Sequence, residues 1–190
     1  MLILASSSAR RLELLKQIGI VPDQVVAPAC DETPIKDELP ATLAQRLAIL
    51  KAETVAKKHT NSFVLAGDSV VACGRRILPK CADNEEVKRC LTLLSGRRHR
   101  VYGGICVISP KSEKTSRLVQ SAVTFKRLTD EEIDAYVKTG EGVDKAGGYA
   151  LQGRAASFIR FISGSSSNII GLPLFEAAQM LHGLGYKEKT

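Results

Sequence analysis

Tryptophan is absent from the 190 residues, and four tyrosines and five phenylalanines are the whole aromatic complement. A protein that grips nucleic acid by base stacking needs more aromatic faces than that. Only three histidines occur, His59, His99 and His182, and none stands at metal-ligand spacing from a cysteine. The five cysteines (Cys30, Cys73, Cys81, Cys90, Cys106) form no CxxC pair, which argues against a zinc site. An odd cysteine count favours free thiols over a disulfide framework. No apolar run approaches the roughly 20 residues that span a bilayer. In "MLILASSSARR" the arginines follow a short apolar run, the reverse of a secretory signal. These absences predict a cytoplasmic protein with no membrane partner. Repeats, low-complexity tracts and linkers are missing too, so residues 1–190 are expected to form one domain.

What is there is an ordinary globular composition, 44% apolar and 25% charged, long enough to bury a core. The net charge of +7 admits a polyanionic partner. Basic residues are scattered, the densest pieces being "GRR" at 74–76 and "GRRHR" at 96–100, which read as turn or strand-edge chemistry. That spread, with the scarcity of aromatics, argues against nucleic acid and leaves a nucleotide as the candidate anion.

Along the chain, Ile3–Ala5 reads as a buried strand and 10–18 as a helix built on Leu12, Leu14, Leu15 and Ile18. "VPDQVVAP" suggests a strand ending near "CDETP", and Pro40 opens a helix to about Lys58. "FVLAGDSVVA" is a near-continuous apolar strand. Asp83 and Glu86 form a capping box before a helix that stops at Ser95-Gly96. "HRVYGGICVIS" and "TSRLVQSAVTFKRL" flank a turn as an antiparallel hairpin. Thr129 and Glu132 cap a helix to about Thr139, "SFIRFIS" is a strand, and a last helix runs from Pro173 to Gly183. Alternating strands and helices with one clear hairpin predict an α/β fold with a mixed sheet.

Several charges break the pattern around them. Arg10 and Arg11 stand in the first turn of a helix, where the backbone already carries partial positive charge. They either lie on a solvated face or, with Ser6, Ser7 and Ser8, hold an anion. Asp68 sits inside an apolar strand, where a carboxylate must be paired or bind a cation. It either bonds backbone N–H groups at a strand break marked by Gly67 or belongs to a site. Lys51 falls in a stripe with Ala44, Ala48 and Val55, and either snorkels to solvent or reaches a phosphate. Asp31 and Glu32 make a solvated turn or, facing Asp68 across a pocket, oxygen ligands for a hard divalent ion. Lys80 occupies a loop open to either reading. "DKAGGYALQG", residues 144–153, is too glycine-rich for a helix, and Gly147, Gly148 and Gly153 permit close approach to a ligand. Gln152 offers the donor and acceptor that read the edge of a base. The inventory suits a nucleoside triphosphate with Mg²⁺.

These stretches, "LASSSARRLELL", "CDET", "LAGDSVV", "LSGRRHRVYGGICV", "DKAGGYALQG" and "SNIIGLPLFE", occur in an order that resembles the Maf family of nucleoside triphosphate pyrophosphatases. The resemblance implies an elongated mixed sheet flanked by helices, as in the inosine triphosphate pyrophosphatase (Ham1) fold. It implies hydrolysis of a nucleotide to the monophosphate and pyrophosphate with Mg²⁺ or Mn²⁺, and a homodimer. Residue by residue, it implies substrate binding by Ser6, Arg10 and Arg11, and metal binding by Glu32 and Asp68 with Asp68 as catalytic base. It implies phosphate binding by Lys51 and Lys80. Arg11, Ser69 and Gln152 resemble the trio of the dTTP/UTP subgroup, as opposed to the 7-methyl-GTP subgroup. The chain departs from the family pattern at Ala9, Ser69, Cys81 and Ser166. The alternatives are a nucleotide-binding regulator of septum formation with little turnover, and a pyrophosphatase for a modified purine nucleotide.

Overall fold

The computed structural model describes residues 1–188. Its first strand, β1 (Leu2–Ala5), is buried at all four residues, as a parallel strand covered on both faces must be. It pairs in parallel with β2 (Gln24–Val26) on one side and β3 (Phe63–Cys73) on the other. Beyond β3 the sheet turns antiparallel, through β5 (Arg98–Ile108), β6 (Lys114–Phe125) and β7 (Ile159–Ser163). The short β4 (Arg76–Leu78) folds back on the end of β3. The order β2-β1-β3-β5-β6-β7 is the mixed sheet expected, seven strands with β4 counted.

Side-chain alternation sorts the core into opposite faces. Ile3, Ala5, Val64, Ala66 and Cys106 pack against Ala48, Ala52 and Val55 of α2 (Pro40–Ala56). Leu2, Leu4, Leu65, Ile105 and Val107 meet α1 (Ala9–Gln17) and α6 (Leu174–Gly183) on the other. A separate cluster joins Val71, Val101 and Phe125 to α3 (Asn84–Leu94) and α4 (Asp130–Val137). Two adjacent glycines in β5 allow both faces to close. A Cβ at Gly104 would overlap the Ala44 carbonyl oxygen of α2, and one at Gly103 would overlap Asn168 of the short helix α5 (Ser166–Ile170).

The structure corrects several details. β2 stops at Val26, so Asp31 and Glu32 lie in an irregular segment rather than at a strand end. β3 runs unbroken through Gly67, which removes the strand-break reading of Asp68. Asp83 does cap the Glu86 N–H, but the Glu86 carboxylate accepts from Ala82 rather than from the cap, so the box is half formed. The Thr129–Glu132 box is complete. "SFIRFIS" begins as a 3₁₀ turn, Arg154–Phe158, before β7. The left-handed residue after α6 is Gly185, with φ 85°, and Gly183 is still helical. Neither β4 nor α5 was expected, being three and five residues long, too short for any periodicity to appear.

Candidate active site

Asp68 and Ser69 are neighbours on β3 and therefore point to opposite faces of the sheet. On the α2 face, Asp68 Oδ1 accepts a hydrogen bond from Lys51 Nζ at 2.6 Å. The same ammonium donates to Glu32 Oε2, also at 2.6 Å. Lys51 is buried at 5% exposure and does not snorkel, because the two carboxylates supply the charge that burial demands. A helix from α2, a loop residue and a central strand thus meet at one ammonium.

On the opposite face, Arg11 reaches from α1 to the middle of β3. Its Nε donates to the Gly171 carbonyl at 2.8 Å, Nη1 to Ser6 Oγ at 3.2 Å and Nη2 to Ser69 Oγ at 3.4 Å. Ser69 Oγ donates to that same carbonyl at 3.3 Å. Burial pulls the Arg11 guanidinium below its usual range, with the Asp68 charge working the other way. Ser6 is buried, and its hydroxyl also accepts from the Ser8 N–H, so it orients Arg11 and closes the strand-to-helix turn.

Between these groups opens a cleft of about 600 Å³, lined among others by Ser7, Ser8, Arg10, Arg11, Asp68, Ser69, Lys80 and Tyr149. The N-terminus of α1 faces it without a side-chain cap and without an acidic residue in its first turn. Free helical N–H groups and a cation beside them are the elements of an anion site. Arg10 and Lys80 have no ion-pair partner among the described residues, and both line the cleft. A small recess of about 30 Å³ adjoins it, lined by Arg10, Val71, Ala146, Tyr149, Gln152 and Ile170. An isolated bridge between Lys80 and Ala146 ties one wall to the other.

Of the residues singled out in the sequence, Arg10, Arg11, Asp68, Ser69 and Lys80 line the cleft and Gln152 lines the recess. Lys51 and Glu32 join it through Asp68, and Ser6 through Arg11. Sequence reasoning missed Lys145, a fourth cation on the cleft wall, whose Nζ donates to the Val143 carbonyl. Burial, and the neighbouring Arg10, hold its ammonium below the usual lysine range. It also missed Tyr149, whose hydroxyl lies 2.7 Å from Nε2 of the buried His99. Both sit in the glycine-rich loop, where no periodicity marks them. The glycines themselves make room for the protein's own packing. A Cβ at Gly147 would press on Val71, one at Gly148 on Cys81 and Cys90, and one at Gly153 would overlap the Glu141 carboxylate.

Chemically, the arrangement opposes a cationic anion-binding wall to a carboxylate held over one edge. The donor set fits a hard divalent cation of the Mg²⁺ kind. Lys51 bonds one oxygen each of Asp68 and Glu32, which leaves Asp68 Oδ2 and Glu32 Oε1 as free acceptors. Among the described residues no group of three or more His, Cys, Asp or Glu side chains forms a metal cage. Such a cation is ordinarily held by one or two carboxylates, the rest of its shell coming from water and substrate phosphates.

Comparison with known proteins shows the family and the fold. The family model described as Maf-like protein matches residues 1–184. The chain is 57% identical over 185 residues to a protein named dTTP/UTP pyrophosphatase from Paramagnetospirillum magneticum, covering 97% of each chain. It is 51% identical over 190 residues to a nucleoside triphosphate pyrophosphatase of Rickettsia felis, covering 98% of this chain and 94% of that one. Among solved structures, the Ham1 protein of Staphylococcus aureus has the same fold at TM-score 0.50 and 18% identity, covering 96% of this chain and 98% of that one.

Proposed function

The chain belongs to the Maf family, and from that premise we propose that it hydrolyses nucleoside triphosphates, dTTP and UTP first, to the monophosphate and pyrophosphate. The observation that carries this reading is Asp68, turned from a central strand into a cationic cleft while Lys51 links it to Glu32. The substrate is a polyanion, and Arg10, Arg11, Lys80 and Lys145 line the space it would fill. Catalysis of phosphoryl transfer rests on positioning and on neutralising charge, and these cations supply both.

In the proposed reaction a water attacks a phosphorus in line with the departing oxygen. Asp68 accepts the proton of that water. Lys51 holds the Asp68 and Glu32 carboxylates close together. A divalent cation held by the free oxygens of Asp68 and Glu32 would lower the pKa of bound water and brace phosphate oxygens. Arg10 and Lys80 steady the triphosphate as pyrophosphate leaves. On the other face, Arg11 and Ser69 share the Gly171 carbonyl, and Gln152 borders the recess. These three are proposed to read the pyrimidine edge. Pairing as a homodimer and residence in the cytoplasm belong to the same proposal.

The test is pyrophosphate release across dTTP, UTP, CTP, inosine triphosphate and 7-methyl-GTP with Mg²⁺ or Mn²⁺. Release confined to dTTP and UTP is the expected result. Preference for 7-methyl-GTP would move the assignment to a modified purine. Binding without release from any nucleotide would make the protein a nucleotide-binding regulator.

A further inference from the structure

Behind the cleft wall lie two thiols that the proposed hydrolysis does not use. Cys81, in the loop between β4 and α3, is fully buried, and Cys90, on the inner face of α3, is 7% exposed. The Cys81 S–H donates to Cys90 Sγ at 3.6 Å. Cys90 also borders a cavity of about 160 Å³, lined by Arg76, Leu78, Pro79, Glu86, Arg89 and Leu93, a volume that admits a small neutral molecule. We propose that Cys90 and Cys81 form a peroxide-reactive dithiol, with Cys90 the attacking sulfur and Cys81 the resolving one.

The geometry sets the order of events. Cys90 lines the cavity and Cys81 does not, so the Cys90 sulfur is the one a small peroxide reaches first, with the Cys81 S–H directed at it. Burial raises the Cys90 thiol overall, while the Cys81 S–H works the other way; Glu86 adds to the rise, and the Arg89 and Arg76 charges oppose it. Cys81 is pushed up to about 12, mainly by burial, and keeps its proton until Cys90 has reacted. Because the thiolate is the nucleophile, oxidation is slow at neutral pH and needs sustained exposure. Cys90 sulfur attacks a peroxide oxygen, forming S–O and breaking O–O, and the Cys90 thiol proton leaves with the departing oxygen as water. Cys81 sulfur then attacks Cys90, forming S–S and breaking S–O, and the hydroxide leaves with the Cys81 proton as a second water. Two thiols lose two electrons, and the peroxide gains them.

Closing 3.6 Å to a bond of about 2.05 Å draws the 79–81 loop and α3 together. That loop is bonded to the cleft: the Cys81 N–H donates to the Lys145 carbonyl, the Cys81 carbonyl accepts from Asp144 N–H, and Gly147 N–H donates to Pro79. Gly148 packs on both cysteines. The movement therefore reaches Lys80 and Lys145, and the disulfide is expected to raise KM for nucleotide more than it lowers kcat. This last consequence alone rests on the functional reading above.

The test treats the folded full-length protein with hydrogen peroxide, alkylates free thiols and maps the peptides. The expected result is a Cys81–Cys90 disulfide that dithiothreitol reverses. Cys81→Ser should stop at a sulfenic acid on Cys90, captured by dimedone, and Cys90→Ser should leave Cys81 as a free thiol. Wild-type protein in which both cysteines remain alkylatable after peroxide overturns the proposal, whether or not the variants fold. So does a Cys81→Ser protein that melts like wild type but takes up no dimedone at Cys90. A disulfide in a protein that releases pyrophosphate from no nucleotide upholds the dithiol and overturns the functional reading instead.

Discussion

Arg11 shows how much one side chain holds at this site. Its guanidinium ties α1 to β3 and to the turn after α5 through three groups, Ser6, Ser69 and Gly171. A lysine keeps the charge but cannot span three acceptors with a planar fork. Arg11→Lys should therefore cost about 1.5–3 kcal/mol in kcat/KM for dTTP, roughly 10- to 100-fold, the worth of hydrogen bonds to a charged group. Steady-state kinetics on dTTP and CTP would check it, and an unchanged kcat/KM would remove Arg11 from the site. His99 makes a different prediction. Burial lowers it from 6.5 to about 4, so the folded protein holds it neutral. The unfolded chain takes up the proton near pH 6.5, and between about pH 4 and 6.5 it binds more protons than the native state. Its share of stability is therefore complete above pH 6.5 and is lost as pH falls toward 4, by roughly 3 kcal/mol. Denaturant midpoints from pH 7 to 4 should fall in wild type and fall less in His99→Phe. Asp68, Lys51 and the paired arginines were legible in the sequence because each puts charge where its neighbours demand apolar or acidic residues. Lys145 and Tyr149 were not, since a loop has no pattern for them to break.

At the scale of elements, the site depends on how closely α2 and α5 approach β5. Ala44 and Asn168 occupy the room that Gly104 and Gly103 leave. Asn168, fully buried, donates through Nδ2 to the carbonyls of Val101 and Val119 and to Ser121 Oγ. It fixes α5, and the chain then turns at Gly171, whose carbonyl receives Arg11 and Ser69. Asn168→Ala should cost about 1–3 kcal/mol of stability, for buried acceptors left unpaired, and should shift the dTTP-to-CTP preference. Gly104→Ala must push against helix backbone, so α2 moves and carries Lys51 with it. The expected cost is about 1–3 kcal/mol, with a fall in kcat at unchanged base preference. Denaturation and nucleotide panels on both variants separate the two effects, and matching panels would contradict the division of labour. The order of strands and helices was readable because long strands and capped helices carry periodic signals. The meaning of "GG" in "VYGGICV" was not, because it depends on which elements lie above and below.

Across the whole molecule, charge and folding are separable. Lys51 already bridges Asp68 and Glu32, so the fold does not need a divalent ion to hold those carboxylates together. Chelation should abolish turnover yet leave the melting temperature of the free protein unchanged. A non-hydrolysable dTTP analogue at about 100 times its Kd, with Mg²⁺, should stabilise the protein by about 2.7 kcal/mol. The effect should weaken as salt screens the cleft cations. A melting temperature that drops on chelation would mean a structural metal. The most direct measurement is kcat for pyrophosphate release from dTTP by Asp68→Asn beside wild type, in Mg²⁺. Asparagine keeps the size of the side chain but neither accepts the proton of water nor pairs with Lys51 as a charge. The expected loss is at least about 2.7–4 kcal/mol, a 100- to 1,000-fold fall in kcat, in a variant that still binds the nucleotide. A variant that turns over dTTP at near the wild-type rate would contradict the assignment of Asp68 as the base.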